Sequence, residues 1–486
     1  EKAVEIDPNF ATAYFYLSSS YDTLLNSEAR DRAIEKAMSL SQKTTDKERL
    51  FIESRYAQYI EQDIGKAGNI LKQITEKYPR EKMAHYYLGV FFRRAENYKG
   101  AIEKHLKVLE LDPEFGESHN DLGYNYLLQG NYDLAVEHFK EYLALNPGDA
   151  NPYDSIADAY FLMGRLDEAI SHYEDAVRIK PDFPISYFKL GYMYAIKEDT
   201  AEAIRWFDKY IEMATSPGIR VFGFLFKGFY LHWLGRTEKA FFEFRRAEEL
   251  AQETGNDPGK ISLMLTKAFI HLDRGEFKLA RENNEGWVGM IKKIQPVLAP
   301  VNRARFHLLS GLIDLKEEKL DSAKSQLAAA KKQLFLTLTQ SERITLSSNI
   351  LEAEIGLAEG NFDKTLAVLD ATSLAGSSPP ALQNIVDVMA YNIPALKDVL
   401  ARGYLQKGDL DKAIVEYERL ITFDPDTKSR YLIHPLCHYR LARLYEERGW
   451  KGKAIDQYEQ FLNLWKDADP GKPEVEDATK RLTALK

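Results

Sequence analysis

Three side chains that favour soft metals fall within one helical turn near the C-terminal end of the sequence: His434, Cys437 and His438. Imidazole nitrogens and a thiolate are the donors of zinc and copper sites. His438, however, stands where His85 and His119 stand in their own repeating segments, a place for a large core side chain. A lone cysteine behaves as a small buried hydrophobe. The three are therefore read as packing, and no metal site is expected. Asp154 and Asp158 lie one turn apart on one helix face, a spacing that could serve general acid–base work. In a repeated helix such carboxylates line a polar groove, and no catalysis is assigned to them. Phosphate-cradling loops of the G-x-x-x-x-G-K type are absent, as are G-x-S-x-G, H-E-x-x-H and paired C-x-x-C. The expectation is a chain that is not an enzyme and takes no cofactor.

The elements that would position such side chains recur with a fixed period. Gly89, Gly123, Ala157 and Gly191 follow one another at intervals of thirty-four residues, and Ala101, Ala135, Ala169 and Ala203 keep the same interval. Pro113, Pro147 and Pro181 close three of these units. A period of this length denotes a stacked array of small units. In the unit from Gly116 to Asp149, His119, Leu122, Gly123 and Tyr126 have the spacing of one apolar helix face. Gly123 leaves room for a paired helix, and Gly130 ends the first helix in the left-handed conformation that glycine adopts cheaply. The second helix carries Ala135, Phe139 and Tyr142, with Phe139 expected to fill the gap to the next unit. Pro147 stops it, and Asn146 before the proline is biased out of the helical region.

These residues resemble the tetratricopeptide repeat: an aromatic or His, then Leu-Gly, Tyr, Gly, Ala, Phe and Pro at that family's spacing. The resemblance is sharpest over 82–214. It continues more loosely through Tyr14, Ala33, Ala67 and Pro79 on one side, and through Gly228, Ala240, Phe244, Ala268, Ala280, Trp287, Gly311, Ala323, Ala353 and Gly360 on the other. It sharpens again at Ala401, Tyr404, Gly408, Ala413, Tyr417 and Pro425, and ends at Ala442, Tyr445, Gly449, Ala454 and Tyr458. It implies an all-α fold, a right-handed α-α superhelix (a solenoid) of about twelve helical hairpins with a C-terminal capping helix. The expected organisation is the tail of a truncated repeat at 1–10, an N-terminal array at 11–217, longer repeats at 218–376, an irregular connection at 377–393, C-terminal repeats at 394–471 and the cap at 472–486. Ser377, Ser378, Pro379 and Pro380 break any helix in that connection, and a short helix is expected from Ala381 to Tyr391.

In this family the first helices of successive units line a concave wall. The resemblance therefore places Tyr87, Val90, Arg93, Arg94, Asn120, Asp121, Tyr124, Leu127, Asp154, Ser155, Asp158, Phe161, Phe188, Lys189 and Tyr192 in a groove. Asn120 would hold an extended peptide backbone through its amide, and Tyr124, Phe161, Phe188 and Tyr192 would supply apolar pockets. The family's best-known groove captures a C-terminal carboxylate, but Asp154 and Asp158 would repel an acidic tail. A basic or neutral peptide is expected instead, in line with the net charge of −9.

That charge also argues against a sequence-independent nucleic-acid role. The basic pairs Arg93-Arg94, Arg245-Arg246, Lys292-Lys293 and Lys331-Lys332 each sit among acids and are read as solvated faces. The most apolar run, Val221 to Leu234, contains Lys227 and His232. It falls short of the ~20 residues a membrane-spanning helix needs, so no membrane insertion is expected. With one cysteine no internal disulfide forms, which fits a reducing compartment. A cytoplasmic location is expected, with the extracytoplasmic part of a membrane-anchored protein as the alternative. The run His434 to Leu485 resembles the last repeats of bacterial eukaryotic-like serine/threonine kinases with C-terminal arrays, and Thr45 to Glu53 is similar to a linker of that group. The resemblance implies the regulatory arm of a larger bacterial signalling protein, with protein or peptide partners and an attached N-terminal signalling domain. A module that closes on a small ligand and a self-associating structural scaffold are the other two readings.

Overall fold

The computed structural model of the chain describes residues 1–23, 27–294, 299–335, 342–370, 398–422 and 432–486. The expected break at Ser377–Pro380, the short helix from Ala381 to Tyr391, and Pro425 lie outside the described residues. The described residues are helices and turns, with no strand among them. From Ala11 to Leu464 the described helices follow one another in twelve helix–turn–helix pairs, and Pro473–Leu485 comes after the last. Among the described residues no helix is long and apolar enough to cross a membrane.

Local chemistry sets the helix starts and the pairing. The side chains of Asp63, Asn97, Asp199 and Asp409 each accept from a backbone N–H three residues on, closing the first turn of their helices. Thr45 and Glu48 form a reciprocal capping box at the head of Asp46–Tyr59. The segment likened to a linker is thus the start of a repeat helix. Gly123 shows why a small residue recurs in the first helix. A Cβ there would lie 2.3 Å from the ring of Phe139 in the paired helix. Phe139 therefore fills the space above Gly123 within its own pair rather than the gap to the next unit. The same fit recurs at Gly191 with Phe207, 2.4 Å, and at Gly228 with Phe244, 2.5 Å. The helices Pro217–Trp233, Thr237–Glu253 and Asp257–Asp273 run to 17 residues each, against 13 or 14 in Gly116–Leu128 and Tyr132–Leu145.

The chain divides into two compact units, Glu1–Ala159 and Tyr160–Lys486, with the division inside helix Ala150–Leu162. The first unit buries small clusters between neighbouring helices, such as Phe15, Ile34, Ala37 and Ile52.

The second unit begins around a dense aromatic core. Phe188 meets Phe226 edge to face at 4.7 Å, and Phe207 lies 5.0 Å from Phe226 and 5.5 Å from Tyr230. Its hairpins then stack in succession, and the last returns to the first ones. The Trp233 indole donates to the Ile433 carbonyl at 2.9 Å, and the Trp465 indole donates to the Trp233 carbonyl at 3.1 Å. The Asp469 N–H donates to the Gly235 carbonyl at 3.0 Å, and Arg236 pairs with Asp467 at 2.7 Å. Glu198 meets the His438 ring at 2.7 Å and accepts from Gln460. Gly235 permits the contact in two ways: its φ is +74°, and a Cβ would lie 2.8 Å from that of Ala468. An ordinary solenoid unit touches only its sequence neighbours, whereas here residues two hundred or more apart close the second unit into a circuit.

Candidate functional site

The sequence-selected residues fall in both units. In the first unit, Gly116–Leu128 presents Asn120 and Tyr124 toward Asp154, Ser155 and Asp158 of Ala150–Leu162. The Tyr124 hydroxyl donates to Asp158 Oδ2 at 3.0 Å and lies 3.2 Å from the Ser155 hydroxyl. The Ser155 hydroxyl donates to Asn120 Oδ1 at 2.9 Å. Burial, followed by the Asp158 and Asp154 charges, pushes the Tyr124 phenol well above its ordinary value, so it acts as a hydrogen-bond donor throughout the neutral range. Arg93 pairs with the buried Asp121 at 3.0 Å. Leu127, Asp154 and Asp158 are buried.

This geometry changes two expectations. Tyr124 is not an open apolar pocket: its ring packs edge to face on Phe139 at 5.0 Å and its hydroxyl is committed. Asp154 and Asp158 are not free surface carboxylates that would steer a ligand. What the first unit offers is Asn120, whose Oδ1 is held by Ser155 while Nδ2 has no partner among the described residues. Tyr124→Phe removes one donor from the buried Asp158 carboxylate. It is expected to lower stability by about 1–3 kcal/mol, measured by chemical denaturation, and an unchanged midpoint would show that Asp158 is satisfied without it.

In the second unit, Phe161, Phe188 and Tyr192 are essentially inaccessible. Phe161 meets Tyr192 at 6.2 Å, and both Phe188 and Tyr192 pack on Phe226. They are core side chains, and the expectation that they form apolar pockets is corrected. A first-helix face that reads as groove at one repeat is covered here by the bulky helix Pro217–Trp233.

His434, Cys437 and His438 do not converge. His434 Nδ1 accepts from the Leu436 N–H at the head of its helix, and burial lowers its pKa to about 3. Cys437 is buried, and His438 is held between Gln457 and Glu198, 2.7 Å from each.

The sequence reading passed over Arg55, which the structure surrounds with Phe15, Tyr59 and Tyr87. It stands one residue out of the thirty-four-residue register relative to Val90, and that offset hid its equivalence to the positions expected to line a groove in later repeats.

Residues 157–197 match a family model described as "TPR repeat". Models described as "Tetratricopeptide repeat" match 61–113, 116–149, 185–217 and 399–427. No curated protein matches the chain. Among solved structures, the chain is similar to one described as "Crystal structure of MamA", at 26% identity over 33% of this chain and 93% of that one, with a TM-score of 0.30. It is similar to TTC0263, a TPR protein of Thermus thermophilus, at 22% identity over 35% and 92%, TM-score 0.31. It is similar also to YrrB, described as "a TPR protein with an unusual peptide-binding site", at 22% identity over 37% and 92%, TM-score 0.28.

Proposed function

We propose, from the premise that this chain is built of tetratricopeptide repeats, that it is a non-catalytic scaffold whose first unit binds an extended peptide along Arg93, Asn120 and Tyr124. Repeats of this kind are protein-interaction modules: each exposes one helix of its pair, and stacking aligns those helices into one continuous surface. The observation that carries the reading is the Asn120 amide. An extended peptide carries a main-chain carbonyl at every residue, and a donor fixed from behind by Ser155 can take one without first being ordered. The committed hydroxyl of Tyr124 and the paired Arg93 make the wall beside it rigid. The acidic groups nearby are buried and bonded, so they do not select the charge of the ligand's side chains at this point.

The resemblance of the C-terminal repeats to those of bacterial signalling kinases supports a place as the regulatory arm of a larger protein, and the single cysteine supports a cytoplasmic setting. Binding is tested with a peptide array probed by the whole chain, followed by fluorescence anisotropy on the peptides retained. Asn120→Ala is expected to weaken those peptides about tenfold, the loss of one main-chain hydrogen bond from a preorganised donor, with the thermal midpoint unchanged. Equal affinity of the variant would remove the groove at Asn120 from consideration.

A further inference from the structure

We propose that Arg55 and Arg94 form a subsite for the carboxylate of an acidic side chain lying within the bound peptide. The proposal rests on the peptide-scaffold reading and names what one end of the first unit recognises.

Arg55 projects from helix Asp46–Tyr59 into a box of aromatic rings. Its guanidinium carbon lies 4.8 Å from the Phe15 ring centroid, 5.9 Å from that of Tyr87 and 6.0 Å from that of Tyr59. One of its nitrogens, Nη1, donates to the hydroxyls of Ser18, at 3.4 Å, and Ser19. Its Nε and Nη2 have no partner among the described residues, and neither is sealed from solvent. No described carboxylate forms an ion pair with it. Asp22, whose field does reach it, is already committed: Oδ2 accepts from the Tyr59 hydroxyl at 2.7 Å, and Oδ1 pairs with Arg30 at 3.1 Å.

Arg94 ends helix Lys82–Arg94, is exposed, and makes no ion pair among the described residues. Its charge acts on both Arg55 and Tyr59. Burial above all, with Arg94 acting the same way, holds the Arg55 guanidinium below its ordinary pKa. A cation enclosed by rings, beside a second cation and without an ion-pair partner among the described residues, is an unfavourable arrangement that an anion relieves. Arg93, one residue away from Arg94, shows the satisfied alternative in its pair with Asp121.

The charges select the kind of anion. Arg30, Arg55 and Arg94 against Asp22 and Asp31 leave one positive charge, which a carboxylate matches and a phosphate dianion exceeds. Guanidinium forks bind carboxylates with two parallel hydrogen bonds, and the flanking rings of Tyr59 and Tyr87 suit the methylenes of a Glu or Asp side chain. Arg55, Arg94 and Asn120 all stand on first helices of their repeats, so a peptide reaching this end from Asn120 meets the subsite with its chain continuing on both sides.

The probe is an array of degenerate-host peptides with a central Glu, Gln or phosphoserine, each with a free or an amidated C terminus, incubated with the whole chain. The expected result is a preference for Glu over Gln of about tenfold, the same for both kinds of C terminus. Arg55→Gln and, separately, Arg94→Gln erase the preference but still bind the Gln peptides. Because Arg94 is exposed, its variant keeps the test decisive if Arg55→Gln fails to fold. Equal binding of Glu and Gln by the unaltered chain overturns the subsite and leaves the scaffold standing. A preference that follows the free C terminus, or phosphoserine retained in place of Glu, overturns the side-chain carboxylate. No peptide retained at all counts against the subsite and the scaffold together.

Discussion

Trp465→Ala is expected to destabilise the second unit by about 3–5 kcal/mol, the range for truncating a buried aromatic. Trp465 is buried against Phe461 at a centroid distance of 5.1 Å, and its indole reaches the Trp233 carbonyl at 3.1 Å. Its ring lies beside Gly235. The same side chain thus serves the core of the last hairpin and the contact that closes the circuit. In an open array the terminal repeat has a single neighbour and frays first. A closed unit gives its last hairpin a second neighbour, so loss of that contact should turn the hairpin into a fraying end. Hydrogen exchange is the measurement. Helices Pro435–Glu447 and Lys451–Leu464 should lose protection selectively in the variant, with the turn at Leu234–Arg236 following them. Unchanged protection would mean that the contact between the early and late hairpins adds nothing to stability, and uniform loss across the unit would mean that it stabilises the unit as a whole rather than holding down a fraying end. Trp465→Phe separates the two roles, since it keeps most of the packing and removes the indole donor.

The second large effect is expected at Asp398. This carboxylate is 2% exposed and holds together three elements: Arg402 at 2.9 Å, the Tyr417 hydroxyl at 3.0 Å, and Arg440. Arg402 in turn reaches Glu354. Burial by itself would raise the Asp398 pKa, but the Arg440 and Arg402 charges outweigh it and the net shift is downward. A depressed folded-state pKa means stability that is fully present above the ordinary carboxylate value, 3.8, and lost as pH falls through the lower folded value. Asp398→Ala leaves two guanidiniums facing one another without their shared counter-charge. It should destabilise by about 3–5 kcal/mol, the range for breaking a buried ion pair from one side. Denaturation as a function of pH checks both statements: the unaltered chain should lose stability below pH 3.8, and the variant should lack that part of the acid dependence. A variant with the same acid limb would assign the effect to other carboxylates.

Much of the repeat was legible in the sequence because its determinants are local. Gly123 and Phe139 sit sixteen residues apart in one pair, and the pairing of glycine with an aromatic ring is a fit between two consecutive helices. The candidate groove was legible only in part. Asn120 and Tyr124 could be placed on one helix face by periodicity, but periodicity gives direction and not cover. Whether Phe188 and Tyr192 meet solvent or Phe226 depends on the bulk of the next helix. Arg55 was missed for the opposite reason: one extra residue in the following turn moved it out of register with Val90.

The sequence by itself determined the helical pairs, their small-residue contacts and their resemblance to the tetratricopeptide repeat, because each of these depends on residues within about one period of one another. The tertiary structure alone decided which carboxylates are committed, that Arg55 has no ion-pair partner among the described residues, and that Glu198, Trp233 and Gly235 meet the hairpin of His438 and Trp465. Those contacts join residues more than two hundred apart. Their position follows from small rotations accumulated over many stacked pairs, and no spacing in the chain records that sum.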